Sequence, residues 1–158
     1  MSDSQPDPGK SNDQLTEMTV REATVYSLEC SQAEFENMKE EFQSISSKFE
    51  SGADHDALLL VRDKVIPKIT PLFEFCFTLT HVFDDVIEES VRLALEKKIV
   101  DIDRLMGKLA EETEKANFIE VGDMLRFDFT DLVTEISVLF PKIKQCFHDS
   151  KVERLDEY

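Results

Sequence analysis

The stretch LRFDFTDLVTEISVLFPKIKQCF, residues 125–147, carries the longest uninterrupted apolar repeat in the chain. Its large apolar residues recur every three or four positions, which places them on one face of an α-helix. A helix with one apolar face must bury that face against other elements, so the stretch predicts a packed helical fold. The stripe consists of Leu125, Phe129, Leu132, Ile136, Leu139, Ile143 and Phe147.

The same periodicity predicts a first helix over residues 32–51. Ser31 and Glu34 have the spacing of a capping box, in which each side chain accepts a hydrogen bond from a free backbone N–H at the helix start. Gly52 supplies a left-handed residue that can end the helix. The predicted stripe contains Phe35, Met38, Phe42, Ile45 and Phe49.

A second helix, capped by Asp54, is predicted to contain two prolines. Pro67 and Pro71 each remove a backbone donor and crowd the carbonyl four residues back. The apolar spacing nevertheless passes through both, which favours a kinked helix, although Pro67 could instead open a new helix at its first turn. The stripe contains Leu58, Val61, Val65, Ile69, Leu72, Cys76, Leu79 and Phe83.

The remaining segments complete an all-α, antiparallel up-and-down bundle of four or five helices. Residues 84–98 start acidic and end basic, as the helix dipole favours, and form either a separate helix or the continuation of the second one. Asp101 or Asp103 then caps a helix that ends near Ala116. Asn117 with Glu120 makes another cap before the last helix.

The chain divides into a disordered tail over residues 1–19, a single helical-bundle domain over 20–150, and a polar end over 151–158 that frays after Asp149. Within the domain, TVYSLEC at residues 24–30 alternates apolar and polar side chains, which predicts an extended segment. This segment would lie over the bundle or pair with its copy in a dimer.

The charge is strongly acidic, with 34 Asp and Glu against 18 Lys and Arg, a formal net charge of −16. Such a surface repels phosphate backbones, which argues against nucleic-acid binding; it suits a basic partner and also simple solubility. No apolar run reaches the ~20 residues of a membrane helix. The start of the chain does not have the pattern of a secretory signal, and three scattered cysteines favour a reducing compartment, so we expect a cytoplasmic protein.

Two cysteines lie in similar segments, PLFEFCF at residues 71–77 and PKIKQCF at residues 141–147. Cys76 falls on an apolar stripe and has no His or Lys one helical turn away to lower its pKa, so both cysteines are interpreted as structural. His148 is two residues from Cys146 and points elsewhere on a helix. Thiol catalysis is therefore not expected.

Metal and phosphotransfer sites are also not expected. A di-iron bundle needs two Glu-x-x-His motifs, which the sequence lacks. His81 and Asp85 have the spacing of two ligands on one helical face, but no second pair completes a site. Acidic neighbours surround His55 and His81, which disfavours a phosphohistidine. The sequence predicts no cofactor, no metal and no enzymatic activity.

Residues 101–141 resemble a set of uncharacterised bacterial helical-bundle proteins of unknown function. In these, a short helix turns into an Asn or Asp, an aromatic residue and, after four positions, Asp-x-Leu, before a long helix that ends near a proline. The residues that carry the resemblance are Asn117, Phe118, Asp123, Leu125 and Pro141. It implies a bacterial origin and a bundle, and transfers no site residues.

These observations predict a non-enzymatic protein-interaction module, an adaptor or export-chaperone-like bundle that binds a helical or basic client in an apolar groove. The alternative is a structural homo-oligomeric bundle. A metal-binding or enzymatic bundle is the third hypothesis. The residues predicted to form the partner groove or the core are Phe35, Phe42, Phe73, Phe77 and Phe147.

Overall fold

The computed structural model describes residues 17–158, so most of the predicted tail over residues 1–19 lies outside the described part. The described residues form four long helices in an up-and-down bundle and contain no strand. Two of these helices are built of three consecutive segments, the middle one being a π-helical turn. The helices are α1, Val20–Glu50; α2, Asp54–Leu60, Val61–Val65 and Ile66–Val82; α3, Glu89–Glu114; and α4, Phe118–Asp123, Met124–Phe129 and Thr130–Asp149.

Helix α1 begins twelve residues before the predicted start of the first helix. Its N-cap is Thr19, whose hydroxyl accepts from the Glu22 N–H at 3.1 Å, while the Glu22 carboxylate accepts from the Thr19 N–H at 3.3 Å. The capping box is thus Thr19 and Glu22, and the prediction of a cap at Ser31 is wrong. Both pairs have the same spacing, and only the earlier one lies at a helix end.

The predicted extended segment over residues 24–30 is also wrong, because it lies inside α1. Leu28 points into the core, whereas Tyr26 and Cys30 lie one helical turn apart on the exposed side. The prediction failed because Tyr26, Leu28 and Cys30 are apolar residues spaced two apart, as in a strand, although in the helix only Leu28 belongs to the buried stripe.

The turn between α1 and α2 depends on Gly52, as predicted. Gly52 has φ +86°, a conformation that costs an L-residue roughly 1 kcal/mol or more. The Ala53 N–H donates to the Lys48 carbonyl at 2.9 Å, which closes the end of α1. Asp54 is the first residue of α2 and makes no capping hydrogen bond, so the prediction that it caps the helix is wrong.

Helix α2 continues through both prolines, as the apolar spacing predicted. Pro67 has no N–H, and the turn that precedes it is π-helical: the Ile66 N–H donates to the carbonyl of Val61, five residues back. Pro71 lies inside the Ile66–Val82 segment. The stripe residues Val61, Val65, Ile69, Leu72, Cys76 and Leu79 are buried.

Helix α3 forms one continuous element after a short loop. The N–H groups of Val86 and Ile87 both donate to the Phe83 carbonyl, at 3.0 and 3.1 Å, and this turn separates α2 from α3. Asp101 and Asp103 both lie in the interior of α3, so the prediction that either begins a helix is wrong. The stripe Val91, Leu95, Ile102, Leu105 and Leu109 runs past them without interruption.

Helix α4 is tied to α1 at its π-helical turn, Met124–Phe129. The Gln43 side chain of α1 donates to the Arg126 carbonyl at 3.0 Å and to the Thr130 hydroxyl at 3.2 Å. The Thr130 N–H, which would bond the Arg126 carbonyl in a regular α-helix, donates to the Phe127 carbonyl instead. Gln43 therefore supplies a donor to the Arg126 carbonyl. At the start of the helix, the Asn117 side chain donates to Glu112 at 2.7 Å and caps no backbone group of α4, contrary to prediction.

The residues after Asp149 pack against the bundle, so the prediction that they fray is wrong. We call Ser150–Tyr158 the strap; it contains a 3-10 turn, Glu153–Asp156. Leu155 is completely buried and Val152 packs half-buried against the core, so these two side chains hold the segment on the bundle.

Candidate functional site: a groove between α1 and α2

Helices α1 and α2 diverge as they leave the turn at Gly52. The first segments of α2, Asp54–Leu60 and Val61–Val65, pack on α1, whereas Ile66–Val82 packs mainly on α3. The divergence leaves a groove of 410 Å³, which we call the α1/α2 groove. Its apolar lining consists of Phe35, Met38, Pro67, Pro71, Leu72 and Phe75.

An aromatic residue of α4 underlies the groove. The Phe140 ring lies 5.3 Å from the Phe35 ring and 5.9 Å from the Phe75 ring, the latter at an interplanar angle of 85°. Edge-to-face arrangements at these distances are favourable for aromatic pairs. The three rings belong to three different helices, so bundle packing holds the apolar floor in place.

An ion pair between α1 and α2 lies beside the groove. Lys68 Nζ lies 2.7 Å from Glu41 Oε1. The second carboxylate oxygen of Glu41 is shielded from solvent and accepts no hydrogen bond from any described residue. Glu34, farther along α1 on the rim, is exposed and makes no ion pair with the described residues. Because Lys68 neutralises Glu41, Glu34 is the carboxylate of the groove lining that the described residues leave unpaired.

The opposite wall of the groove, formed by α2, contains two prolines and a backbone carbonyl that they leave without a donor. Pro67 and Pro71 are exposed and line the groove. Because Pro71 has no N–H, the carbonyl of Pro67 lacks the donor that a regular helix would supply. The α2 wall therefore combines apolar rings with a backbone acceptor.

The cysteines differ in accessibility. Cys30 is exposed on the lip of the groove, and Cys146 is half-buried. Cys76 is buried, and loss of hydration raises the pKa of its thiol to about 12. Since the thiolate is the nucleophile, Cys76 is chemically inert at neutral pH.

The five predicted phenylalanines do not come together. Phe35 lines the groove, while Phe42 and Phe147 are core residues that pack on Phe129 and Phe83, with ring centroids 6.0 and 5.0 Å apart. Phe73 and Phe77 lie on the other edge of α2. Phe73 lines a small pocket with α3, and Phe77 is 45% exposed and stacks on His81 with ring centroids 3.8 Å apart.

Sequence reasoning missed two aromatic residues here: Phe75, which lines the groove, and Phe140, which lies beneath it. Each directly precedes or follows a residue of a predicted stripe, Cys76 and Leu139 respectively. A bulky aromatic residue one position off a stripe widens the apolar arc of its helix. Such an arc indicates a helix that packs against two other helices at once.

The pair His81 and Asp85 does not form a metal site. His81 Nδ1 lies 3.0 Å from both the Phe77 carbonyl and the Thr80 hydroxyl, and the Asp85 carboxylate binds Arg154. Within the described residues, no group of three or more His, Cys, Asp or Glu side chains has a geometry that could hold a metal ion.

No helix of the described part combines the length and apolarity needed to cross a bilayer. Comparison of the chain with protein-family models, curated proteins and solved structures found no match. The geometry of the α1/α2 groove is therefore the feature from which a function is inferred.

Proposed function

We propose that this protein is a non-enzymatic interaction module that binds a helical segment of a client, flanked by basic residues, in the α1/α2 groove. The observation that carries the proposal is the divergence of α1 from Ile66–Val82 over an aromatic floor. An amphipathic helix that lies in an apolar groove is a recurring mode of peptide recognition. It is the mode expected of an adaptor or an export-chaperone-like bundle.

The length of the groove suits a short helix. The lining residues of α1 extend from Ser27 to Met38, which corresponds to about 17 Å at 1.5 Å per residue. A client helix would contact this length with about three turns, through apolar residues at positions i, i+3 or i+4, and i+7.

Charge favours a basic client. The chain has a formal net charge of −16, and Glu34 lines the α1 side of the groove with no ion-pair partner among the described residues. The charge of Glu41, beside the groove, is neutralised by its ion pair with Lys68. A lysine or arginine beside the client's apolar stripe would pair with Glu34, and the overall field of the acidic chain would accelerate association at low salt.

A structural homo-oligomer is the competing proposal. Pairing through an extended segment is no longer a route to it, because residues 24–30 are helical. A second copy could still cover the α1/α2 groove. Light scattering behind a sizing column separates the proposals, since the interaction module is expected to be a monomer at micromolar concentration.

A fluorescent 18-residue leucine–lysine peptide with helical apolar periodicity is a suitable probe. We expect it to bind the wild-type chain at low salt, and a scrambled peptide of the same composition to bind at least tenfold more weakly. Ser31→Trp fills the groove and should weaken binding by roughly tenfold or more. Ser44→Trp, on the exposed outer face of α1, is the matched control and should leave binding unchanged.

Charge reversal provides an independent readout. Glu34→Lys should weaken binding of the peptide at low salt, and the difference from wild type should vanish near 1 M salt, where the screening length is about 3 Å. A photo-crosslinker on Cys30 should attach to the bound peptide, with Cys146→Ser as the background. Equal binding by wild type and Ser31→Trp, or a stable dimer, would refute the proposal.

A further inference from the structure

The strap is anchored by one leucine and one arginine. Leu155 is completely buried in the core cluster. The neighbouring Arg154 binds the Asp85 carboxylate through both of its terminal nitrogens and also donates to the Val82 carbonyl at 2.7 Å. Its guanidinium lies 5.7 Å from the Phe83 ring centroid. Val152 packs half-buried on the same core. A fully buried apolar side chain beside a bidentate charge pair is typical of a bound peptide motif.

The other side of the strap binds the start of α1. Asp156 forms an ion pair with Arg21 at 3.2 Å, and the Arg21 guanidinium also donates to the Phe147 carbonyl. The Glu157 carbonyl accepts from the Val20 N–H, the first of α1, at 2.9 Å. Each residue of the sequence Arg-Leu-Asp is therefore contacted by the bundle through its side chain, and a backbone hydrogen bond at Glu157 holds the chain that follows.

The strap leaves the neighbouring space open. A cavity of 730 Å³ lies between the strap, the loop before α3 and the end of α4. Its carboxylates are engaged: Asp85 binds Arg154, Asp149 accepts from Gln145, and Glu88 accepts from the Ser90 hydroxyl. Apart from the strap, its apolar walls are Val86 and Val91, and its free cation is Lys142, which forms no ion pair with the described residues.

We propose that this end of the bundle is a docking site for a peptide segment of another protein that carries an Arg-Leu-acidic motif, and that the strap is its intramolecular competitor. A second copy's strap is a weaker candidate, because an identical segment would leave the same cavity open and Lys142 unpaired. A foreign segment can carry a bulky apolar residue and a carboxylate before its Arg-Leu pair. The apolar residue would fill the cavity, and the carboxylate would pair with Lys142. The site uses other residues than the α1/α2 groove and does not depend on it.

The strap's advantage as a competitor is its attachment. A tethered segment acts at an effective concentration in the millimolar range, so a free peptide with the same contacts cannot displace it at micromolar concentration. A peptide with additional contacts in the cavity can. A partner segment must therefore bind the site more tightly than the strap sequence alone would, in order to displace the tethered strap.

The test uses the full chain and a fluorescent peptide with the sequence of Ser150–Tyr158. Leu155→Ser releases the strap, so this variant should bind the peptide at least tenfold more tightly than wild type does. Replacing leucine by alanine in the peptide should abolish binding, since burial of that side chain dominates the interaction. A peptide with Ser150→Leu and Lys151→Glu should bind the variant more tightly and should also bind wild type.

Folding is checked by circular dichroism, and Arg154→Ala, which keeps Leu155 and weakens the strap, is the second variant. Failure of both folded variants to bind the peptide overturns the proposal, as does equal binding of the alanine peptide. Loss of helical signal in both variants shows that the strap is only structural and overturns it too. A wild-type dimer that Leu155→Ser abolishes would assign the site to a second copy instead.

Discussion

The ring of Phe140 in α4 lies 5.3 Å from the ring of Phe35 in α1, at the floor of a groove whose walls are α1 and α2. Phe140 is 1% exposed and also contacts Phe75 of α2. One side chain thereby links three helices, and the shape of the candidate binding site depends on the packing of the core beneath it.

Truncation of Phe140 should therefore be costly. We expect Phe140→Ala to lower the free energy of unfolding by about 3–5 kcal/mol, because it leaves a cavity where three helices meet. Phe127→Ala removes a ring that is 57% exposed and should change stability by less than about 0.5 kcal/mol. Urea denaturation monitored by circular dichroism measures both, and similar losses in the two variants would contradict this account of the floor.

Two glycines in helices should respond in opposite directions. A Cβ at Gly107 in α3 would meet no atom within 4 Å, so Gly107→Ala should stabilise the protein by about 0.5–1 kcal/mol through helix propensity. A Cβ at Gly122 in α4 would lie 3.3 Å from the Phe49 Cβ. Gly122→Leu should therefore destabilise by about 1–3 kcal/mol through overpacking. Thermal unfolding measures both, and a stable Gly122→Leu variant would mean that α1 and α4 can separate freely.

The ion pair between Arg154 and Asp85 should make strap docking sensitive to acid. The hydrogen bonds from Arg154 hold the pKa of Asp85 below its ordinary value. A carboxylate with a lowered pKa in the folded state stabilises above its unfolded pKa of about 3.9, and this contribution disappears as the pH falls below that value. The stability difference between wild type and Asp85→Asn should be constant from pH 5 to 7 and shrink below about pH 4.

The matched control for this titration is Asp84→Asn. Asp84 is exposed and accepts no hydrogen bond from Arg154. Its substitution should produce a smaller difference from wild type at neutral pH. If the two variants give the same pH profile, the pair with Arg154 does not hold the strap.

Thiol reactivity should separate the three cysteines. At pH 8 we expect a disulfide reagent such as Ellman's to modify exposed Cys30 first and half-buried Cys146 more slowly. Cys76 should react only after unfolding, because burial raises its pKa to about 12 and leaves almost no thiolate. Cys30→Ser should lose the fast phase. Rapid modification of Cys76 in the native protein would show that α2 opens readily.

The helical stripes made most of the fold predictable. Leu132, Ile136 and Ile143 are buried as their spacing requires, and Gly52 adopts the left-handed conformation expected at the end of α1. Helix ends were harder, because Thr19-x-x-Glu22 and Ser31-x-x-Glu34 are equivalent as local patterns and only the packing of Leu28 on the core decides between them.

The candidate site could be predicted only in part. Phe35 was recognised, whereas the groove above Phe140 exists because α2 diverges from α1, and that angle is set by contacts between helices rather than by any local pattern. The docking of the strap was hidden for a similar reason. Leu155 and Val152 are two apolar residues in a short polar segment, too few to show a periodicity, and the bonds of Arg154 and Asp156 that position the segment reach residues about 70 and 130 positions away.

The two π-helical turns have a consequence for changes in chain length. Each holds one residue more than a regular helix would use to join the same flanking faces. Deletion of a single residue within Val61–Val65 or Met124–Phe129 can thus restore regular helix and keep the orientation of both neighbouring segments. Glu89–Glu114 contains no π-helical turn. The same deletion inside that helix would therefore rotate every later side chain by about 100° around the helix axis.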